Sequence, residues 1–387
     1  MRVDAPAHEH ASMPMLLWPK RDLSAWAAAT ASADFMSDDG LAAAWRPATR
    51  QSAVAAYGRW LSVLQSRDWL DGGSQLADRM SPVTLGAYVA FLTERGSKSV
   101  TVASYVGVLE MVFKAIAPGS NWSWLRSGQA RLQRRAQPSR NKRGRLVPVV
   151  DLIALGDDLM GQADAMSSPG DVSLAAALAF RDGLIIALLA MRPLRQSNFI
   201  SIEIGRHLIV TGDGYRLQFA GDETKNHRLL EFAFPPNLLA ALRRYLEVYR
   251  PVLISQRLRR GASRSQELPA AGNRLWVTQY GTPFQPATLW GALEKRTTER
   301  FGHFINPHSF RDAVATDIAT NDPEHVRIAA QILGHSDFAT TEKHYIHAQA
   351  HVARRKYHDL VQSMRASSEK RQPIKKLGGR QNASKAG

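Results

Sequence analysis

The feature that most constrains the fold is the apolar run at residues 173–191, SLAAALAFRDGLIIALLAM. A helix of this length could span a bilayer, but Arg181 and Asp182 lie at its centre. Charged side chains at that depth of a bilayer are costly. The run therefore predicts a helix buried in the core of a globular protein and not a membrane span.

The first third of the chain has the spacing of buried helical faces. A hydroxyl residue before a proline at 81–82 is typical of a helix start. One face of the segment 101–119 carries five apolar residues: Val102, Val106, Leu109, Phe113 and Ile116. We predict an all-helical domain at residues 46–136. Residues 1–45 show little periodicity and are predicted to form a loosely ordered arm.

The second half of the chain mixes helices with a few strands. Helical spacing runs from about residue 151 to 199 and resumes at 236–250, where Pro251 is expected to end the helix. Between these helices lie three short apolar segments separated by turns: 206–210, 215–219 and 229–234. One more short strand is expected after Asn273. The fold class predicted is mainly α with a small antiparallel β-sheet, and residues 367–387 are predicted to be a disordered basic tail.

The charge balance indicates a polyanionic partner. The chain has 50 Lys plus Arg against 34 Asp plus Glu, a formal charge of +16. Such an excess favours nucleic acid, because each phosphate that is neutralised releases a counterion. By charge alone an anionic membrane surface is the alternative, but we expect nucleic acid as the partner and no membrane. The sequence has no cysteine, which excludes disulfides, thiolate metal sites and cysteine nucleophiles. No signal peptide is evident, so we expect a cytoplasmic protein.

The positive charge is concentrated between residues 123 and 146, which hold eight basic residues and no acidic one. They could lie on the exposed face of a helix and a solvated linker. A stretch of one sign repels itself, however, so contact with a phosphate backbone is favoured. The candidate DNA-binding residues are Arg126, Arg131, Arg134, Arg135, Arg140, Lys142, Arg143 and Arg145.

Five short segments resemble the active-site motifs of the tyrosine recombinases of the phage integrase family. HSFR at 308–311 fits a His-x-x-Arg motif, LGH at 333–335 fits a Leu-Gly-His motif, and Tyr345 stands where the family has its nucleophile. RPLRQSNFISI resembles the segment with the first active-site arginine, which falls on Arg195. GDETKNHRLLEFAFP resembles the hairpin with the active-site lysine, which falls on Lys225.

The resemblance covers roughly residues 46–366 and implies a domain organisation. It implies a core-binding, SAM-like helical domain at 46–136, a basic linker at 137–146 and a catalytic domain at 147–350. A C-terminal helix at 351–366 would contact a neighbouring protomer. The implied function is site-specific DNA recombination by a homotetramer on double-stranded DNA with paired sites, at the nucleoid. Whether accessory DNA-bending proteins take part is left open.

The resemblance also implies catalytic roles that the chemistry supports. A tyrosine such as Tyr345 can form a phosphotyrosyl ester and so keep the bond energy of the cut strand. Arg195 and Arg311 would stabilise the negative charge of the transition state. The candidate proton acceptor is His308, and the candidate proton donor to the leaving oxygen is Lys225.

His335 would donate a hydrogen bond to the phosphate. No metal and no cofactor are expected, since side chains supply the cations. The pair Arg192-Pro193 stands where the family commonly has Thr-Gly, and Asp312 stands where it usually has histidine, arginine or a small residue.

Structural alternatives remain for each of these residues. His308 could cap a helix, Arg311 could pair with Asp312 or Asp317, and Arg192 could take the role of Arg195. Lys225 could be a surface lysine, and His335 a turn residue. A metal cluster of His344 and His347 around Tyr345 is disfavoured, because no carboxylate pair lies at ligand spacing.

Two functional alternatives also remain. A type IB topoisomerase shares the catalytic set but relaxes supercoils as a monomer. A catalytically inactive DNA-binding regulator would not need an intact set of catalytic residues.

Overall fold

A computed structural model describes residues 12–33, 35, 38–137, 146–212, 214–225, 227–259 and 269–321 of the chain. The chain divides into two compact units, Met1–Asn141 and Lys142–Gly387. The predicted C-terminal helix at 351–366 and the tail at 367–387 lie outside the described residues, as does most of the predicted linker.

The first unit is helical throughout its described residues. Its helices are α1 (Lys20–Thr30), α2 (Pro47–Gln65), α3 (Leu76–Arg79), α4 (Pro82–Glu94), α5 (Ser99–Ile116) and α6 (Ser123–Arg135). Ser81 caps α4 by accepting a hydrogen bond from the Thr84 backbone N–H. Trp60 and Phe113 are completely buried, and their rings meet edge to face with centroids 6.2 Å apart.

The structure corrects the expectation of a loosely ordered arm for the described part of residues 12–45. There α1 packs into the first unit through Trp26, which is buried together with Trp18. Between these two tryptophans in sequence, Asp22 is fully buried and accepts hydrogen bonds from Tyr57 Oη (2.6 Å) and from both terminal nitrogens of Arg79 (3.1 and 2.8 Å). Because a carboxylate interrupts the apolar face of α1, the sequence does not show the apolar spacing that predicts a buried helix.

The second unit is built around the predicted buried helix. The helices α7 (Val149–Ala165) and α8 (Leu174–Met191) approach closely at two glycines, since a Cβ on Gly183 would lie 2.6 Å from the carbonyl oxygen of Gly156. Among the described residues, two helices could cross a membrane by length and composition alone, α5 and α8. In α8, 78% of the residues are buried inside the protein. This confirms α8 as a buried helix.

The two charged residues at the centre of α8 have partners inside the protein. Asp182 accepts hydrogen bonds from the Arg181 guanidinium (2.6 and 3.0 Å) and from Arg296 Nε (3.0 Å). Arg181 also donates to the carbonyl of Val277 (2.9 Å) and lies over the Phe284 ring. A buried ion pair needs such extra partners, because its desolvation is costly.

A three-stranded antiparallel sheet follows α8 and the short helix α9 (Gln196–Ile200), with strand order β1-β2-β3. Its strands are β1 (Leu208–Thr211), β2 (Gly214–Phe219) and β3 (Leu230–Ala233). In the register, Leu217 is opposite both Leu208 and Phe232. The small antiparallel sheet that the sequence predicts is thus confirmed.

The remaining helices of the second unit are α10 (Leu239–Arg244), α11 (Arg250–Arg259), α12 (Pro286–Phe301) and α13 (Pro307–Asn321). The expected end of a helix at Pro251 is wrong, because a π turn at Tyr245–Tyr249 joins α10 to α11. Proline lacks an N–H, and the wider π turn before it accommodates the missing bond. The strand expected after Asn273 is absent from the described residues, where isolated bridges join Glu203 to Arg274 and Val277 to Pro283.

We predict that Asp22→Ala destabilises the folded protein by about 3–5 kcal/mol, because it leaves the Arg79 guanidinium buried without its counter-ion. Denaturant unfolding followed by tryptophan fluorescence measures this change, since Trp18 and Trp26 flank the site. Asp78→Ala removes the same charge from an exposed position of the same unit and should change stability by less than about 0.5 kcal/mol. Equal effects of the two substitutions would contradict a structural role for Asp22.

Candidate active site

The helix α13 carries two of the candidate catalytic residues. Asn306 caps it, because Asn306 Oδ1 accepts hydrogen bonds from the backbone N–H groups of His308 and Ser309, each at 3.0 Å. His308 and Arg311 are three residues apart and therefore lie on the same side of the helix, one turn from each other. The cap is supplied by Asn306, so capping is not the role of the His308 side chain.

Arg311 is directed into the protein. Arg311 is 7% exposed, and its Nη1 donates a hydrogen bond to the carbonyl oxygen of Pro193. Pro193 belongs to the segment between α8 and α9, two residues before Arg195. This contact therefore brings the start of α13 to the segment that carries the other candidate arginine.

Arg195 is at the N-cap position of α9 and is half-buried. Burial, and then the neighbouring charge of Arg195, lower the pKa of Arg311 to about 10, and the Asp312 carboxylate opposes this change. With a pKa of about 10, the Arg311 guanidinium stays protonated at neutral pH. Two cations that repel each other in a partly buried place would be stabilised by an anion between them.

The alternative arginine, Arg192, has different surroundings. Its Nη1 donates to the Met191 carbonyl at 3.0 Å, and its guanidinium lies 5.8 Å from the centroid of the Phe232 ring on β3. Burial lowers the pKa of Arg192. The arginine whose charge lowers the pKa of Arg311 is Arg195. This electrostatic contact favours Arg195 over Arg192 as the partner of Arg311.

His308 is accessible from solvent, with a side chain that is 68% exposed. Its Nε2 lies 3.7 Å from Asp312 Oδ1, which is longer than a hydrogen bond. Asp312 thus lies beside both His308 and Arg311 on the same helix. An exposed imidazole on this helix is available to a substrate that approaches from solvent.

Lys225 lies in the turn between β2 and β3 and is exposed. A 3₁₀ turn at Gly221–Glu223 precedes it, and the buried Thr224 hydroxyl donates to the Arg228 carbonyl at 2.7 Å. Asn198 Nδ2 donates to the Glu223 carbonyl at 3.1 Å. Asn198 is on α9, three residues after Arg195, so the Lys225 turn is attached to the helix that begins after Arg195.

Several predicted site residues cannot be placed. His335 and Tyr345 lie outside the described residues, as do His344 and His347. Of the eight candidate DNA-binding residues, four are exposed on α6 in the first unit: Arg126, Arg131, Arg134 and Arg135. Arg126 Nε lies 3.3 Å from Glu110 Oε1. The other four lie outside the described residues: Arg140, Lys142, Arg143 and Arg145.

Comparison with known proteins gives one family match. The model of the phage integrase family matches residues 164–351. Among solved structures, the XerH site-specific recombinase bound to palindromic difH substrate, in a post-cleavage complex, is 13% identical with a TM-score of 0.50. That alignment covers 77% of this chain and 75% of that chain, and at this identity it shows the fold alone.

Two further structures are similar at lower TM-scores. The pre-cleavage complex of XerH with its difH substrate is 14% identical, with a TM-score of 0.49 and coverage of 79% of this chain and 78% of that chain. The Tn1549 transposon integrase in complex with transposon right end DNA is 17% identical, with a TM-score of 0.47 and coverage of 82% and 95%. No curated protein sequence matches the chain.

We predict that sulfate, titrated against chloride at constant ionic strength, raises the melting temperature through binding between Arg195 and Arg311. At ten times its dissociation constant, a ligand stabilises the folded state by about 1.4 kcal/mol. Arg195→Gln should lose most of this shift, because it removes one of the two cations.

The matched control for that titration is Arg192→Gln. It removes a neighbouring arginine that lies against Phe232, and the sulfate-induced shift should be retained. Each variant is compared with its own melting temperature in chloride, so that general salting effects of sulfate cancel. Equal losses in the two variants would show that the anion is not held by Arg195.

Proposed function

We propose, from the match of the phage integrase family model to residues 164–351, that the chain is a site-specific tyrosine recombinase. The substrate class is double-stranded DNA with paired recombination sites. The reaction is cleavage and rejoining of one strand at a time through a 3′-phosphotyrosyl intermediate.

The observation that supports this proposal most directly is that Arg311 reaches the segment of the chain that carries Arg195. The two residues are distant in the sequence, yet the Arg311 contact with Pro193 brings them together, and the charge of Arg195 acts on Arg311. Two fork-shaped cations at one place suit a phosphodiester whose negative charge grows in the transition state. A helical domain with an exposed arginine-rich helix, α6, supports DNA as the source of that phosphodiester.

The chemical step follows from the residues assigned to the site. Tyr345 Oη attacks the scissile phosphorus, and its proton passes to His308. The bond from phosphorus to the 5′ oxygen breaks, and that oxygen receives a proton from the Lys225 ammonium. His335 donates a hydrogen bond to the phosphate. The 3′ end remains attached to Tyr345 as an ester, so a free 5′ hydroxyl can reverse the steps and reseal a strand without an energy source.

The proposal includes assembly on DNA. Strand exchange requires two duplexes and therefore more than one active site, for which we propose a homotetramer held together by contacts of residues 351–366 with the neighbouring protomer. The side chains named above supply the cations that the reaction needs. The expected place of action is the nucleoid.

We predict that Tyr345→Phe abolishes the covalent protein–DNA adduct and leaves DNA affinity nearly unchanged, because one hydroxyl contributes little beside many phosphate contacts. The measurement is recovery and sequencing of DNA that becomes covalently attached to the protein in cells, which also identifies the recombination site. Tyr357→Phe is the control, and it should retain the adduct.

The outcomes of this experiment separate the candidate functions. An adduct that persists in Tyr345→Phe, or maps to Tyr357, contradicts the assigned nucleophile. Adducts spread over DNA without a preferred site, with supercoil relaxation by a monomer, would indicate a type IB topoisomerase. Specific binding by the wild type without any adduct would indicate a DNA-binding regulator.

We also predict that neutralising Arg134 and Arg135 together flattens the dependence of DNA affinity on salt. Each phosphate contact contributes about 0.9 to the slope of log K against log salt, so the loss of two contacts lowers it by about 2. Lys20→Gln with Arg21→Gln is the control, because it removes two exposed charges from α1 of the same unit. If the α6 substitutions leave the slope unchanged, these arginines lie on a solvated helix face and do not contact DNA.

A further inference from the structure

The turn that presents Lys225 is held at Glu223. Lys225 is exposed on this turn. The Glu223 carboxylate accepts hydrogen bonds at Oε1 from His207 Nε2 (3.0 Å) and Arg206 Nη2 (2.5 Å), and at Oε2 from the Ala220 N–H (3.1 Å). The position of Lys225 therefore depends on a neighbour two residues before it.

His207 can hold Glu223 in only one way. It is 3% exposed and stacks on Phe219 of β2, with ring centroids 5.0 Å apart. Its Nδ1 accepts a hydrogen bond from the Glu203 backbone N–H at 3.0 Å. Because Nδ1 is an acceptor, the proton of the neutral imidazole is on Nε2, and this N–H donates to Glu223.

The backbone of Glu223 makes the other essential contact. Its carbonyl oxygen accepts the hydrogen bond from Asn198 Nδ2, and Asn198 is 4% exposed. Asn198 follows Arg195 by three residues on α9. Glu223 thus links the turn to two fixed parts of the second unit: its side chain to the segment before β1, and its carbonyl to the helix after Arg195.

The contacts of Glu223 with His207 and Asn198 are not required to hold the β2–β3 hairpin together. The strands β2 and β3 are already paired in register, and a surface ion pair between Arg216 and Glu231 (3.0 Å) lies across them. The buried His207 and Asn198 attach the turn to residues outside β2 and β3. His207 and Asn198 are the buried members of this polar network, and their hydrogen bonds to Glu223 favour one geometry of the turn.

We propose that Glu223 is a positioning residue, held by His207 and Asn198, that fixes the Lys225 turn relative to Arg195 and so places the Lys225 ammonium at the leaving 5′ oxygen. The inference rests on the proposed function, in which Lys225 is the proton donor. As the bond from phosphorus to the 5′ oxygen breaks, one proton moves from Lys225 Nζ to that oxygen and leaves a neutral amine. The reverse transfer accompanies rejoining.

Placement of this donor matters for rate. A general acid must come within hydrogen-bond reach of the atom that it protonates, and a misplacement of about 1 Å can slow a reaction by about 10²-fold. Glu223→Gln keeps the size of the side chain but replaces one acceptor oxygen with an amide NH₂. An NH₂ group donates and does not accept, so the remaining oxygen can keep the hydrogen bond from His207 or the one from the Ala220 N–H but not both, and the attachment of the turn is weakened.

The test uses DNA in which sulfur replaces the 5′ bridging oxygen at the cleavage site. A thiolate has a far lower proton affinity than an alkoxide and leaves without a general acid. We expect Glu223→Gln in the full chain to slow single-turnover cleavage of ordinary DNA by about 10–100-fold. On the sulfur-containing DNA its rate should return to within about 3-fold of wild type.

Two further variants make the experiment decisive. Lys225→Ala is the reference for the loss of the proton donor, and it should show the same recovery with sulfur. Glu231→Gln removes another carboxylate of the hairpin and should cleave both substrates at the wild-type rate. Asn198→Ala tests the second attachment of Glu223 and should reproduce the recovery, which keeps the proposal testable if Glu223→Gln folds poorly.

The outcomes distinguish this inference from the proposed function. If Lys225→Ala recovers with sulfur while Glu223→Gln and Asn198→Ala stay equally slow on both substrates, the network is only structural and the inference is overturned. If Lys225→Ala does not recover, Lys225 is not the proton donor and the inference fails with that role. If the wild-type protein cleaves neither DNA, the proposed function itself fails.

Discussion

The hydrogen bond from Arg311 to the carbonyl of Pro193 joins segments that lie 118 residues apart in the chain. One end of this bond is on α13, beside His308, and the other is in the short connection that leads to Arg195. Without it, the two candidate phosphate-binding arginines would belong to separate parts of the second unit. The proposed chemistry depends on this contact, because a single guanidinium would have to oppose the growing charge alone.

Both ends of this contact are anchored by further hydrogen bonds. The Pro193 segment follows α8, the buried helix whose central charges are held by Arg296 and the Val277 carbonyl. The helix α13 begins at a cap formed by Asn306. From Arg195, the helix α9 leads to Asn198, whose side chain donates a hydrogen bond to the turn with Lys225. Four candidate catalytic residues, Arg195, Lys225, His308 and Arg311, are thus placed by connected elements of one unit.

The pattern of apolar residues is sufficient to predict elements whose buried positions are occupied mainly by apolar side chains. The helix α8 and the three strands show their burial pattern directly in the sequence, and the family resemblance located Arg195 and Arg311 on the segments that the structure brings together. The helix α1, whose apolar face contains a buried carboxylate, was missed. Asp22 interrupts the apolar face of α1, and its partners Tyr57 and Arg79 are 35 and 57 residues away.

The same limit explains why the Glu223 network could not be predicted. Glu223 and His207 are polar residues near turns, and nothing in a hydrophobicity pattern distinguishes them from solvated ones. The prediction that the helix ends at Pro251 is wrong for another reason. A π turn lies before this proline and the helix continues past it, and such a turn has no simple signal in the sequence. Tertiary hydrogen bonds and local backbone adjustments decide these cases.

The most direct test of the central claim, that Arg195 and Arg311 bind one phosphate, is a crystal structure of the protein soaked with orthovanadate, a phosphate analogue. The account predicts a single anion with nitrogens of both guanidiniums within about 3.2 Å of its oxygens. An anion bound by one arginine without the other, or bound only elsewhere on the protein, would contradict it.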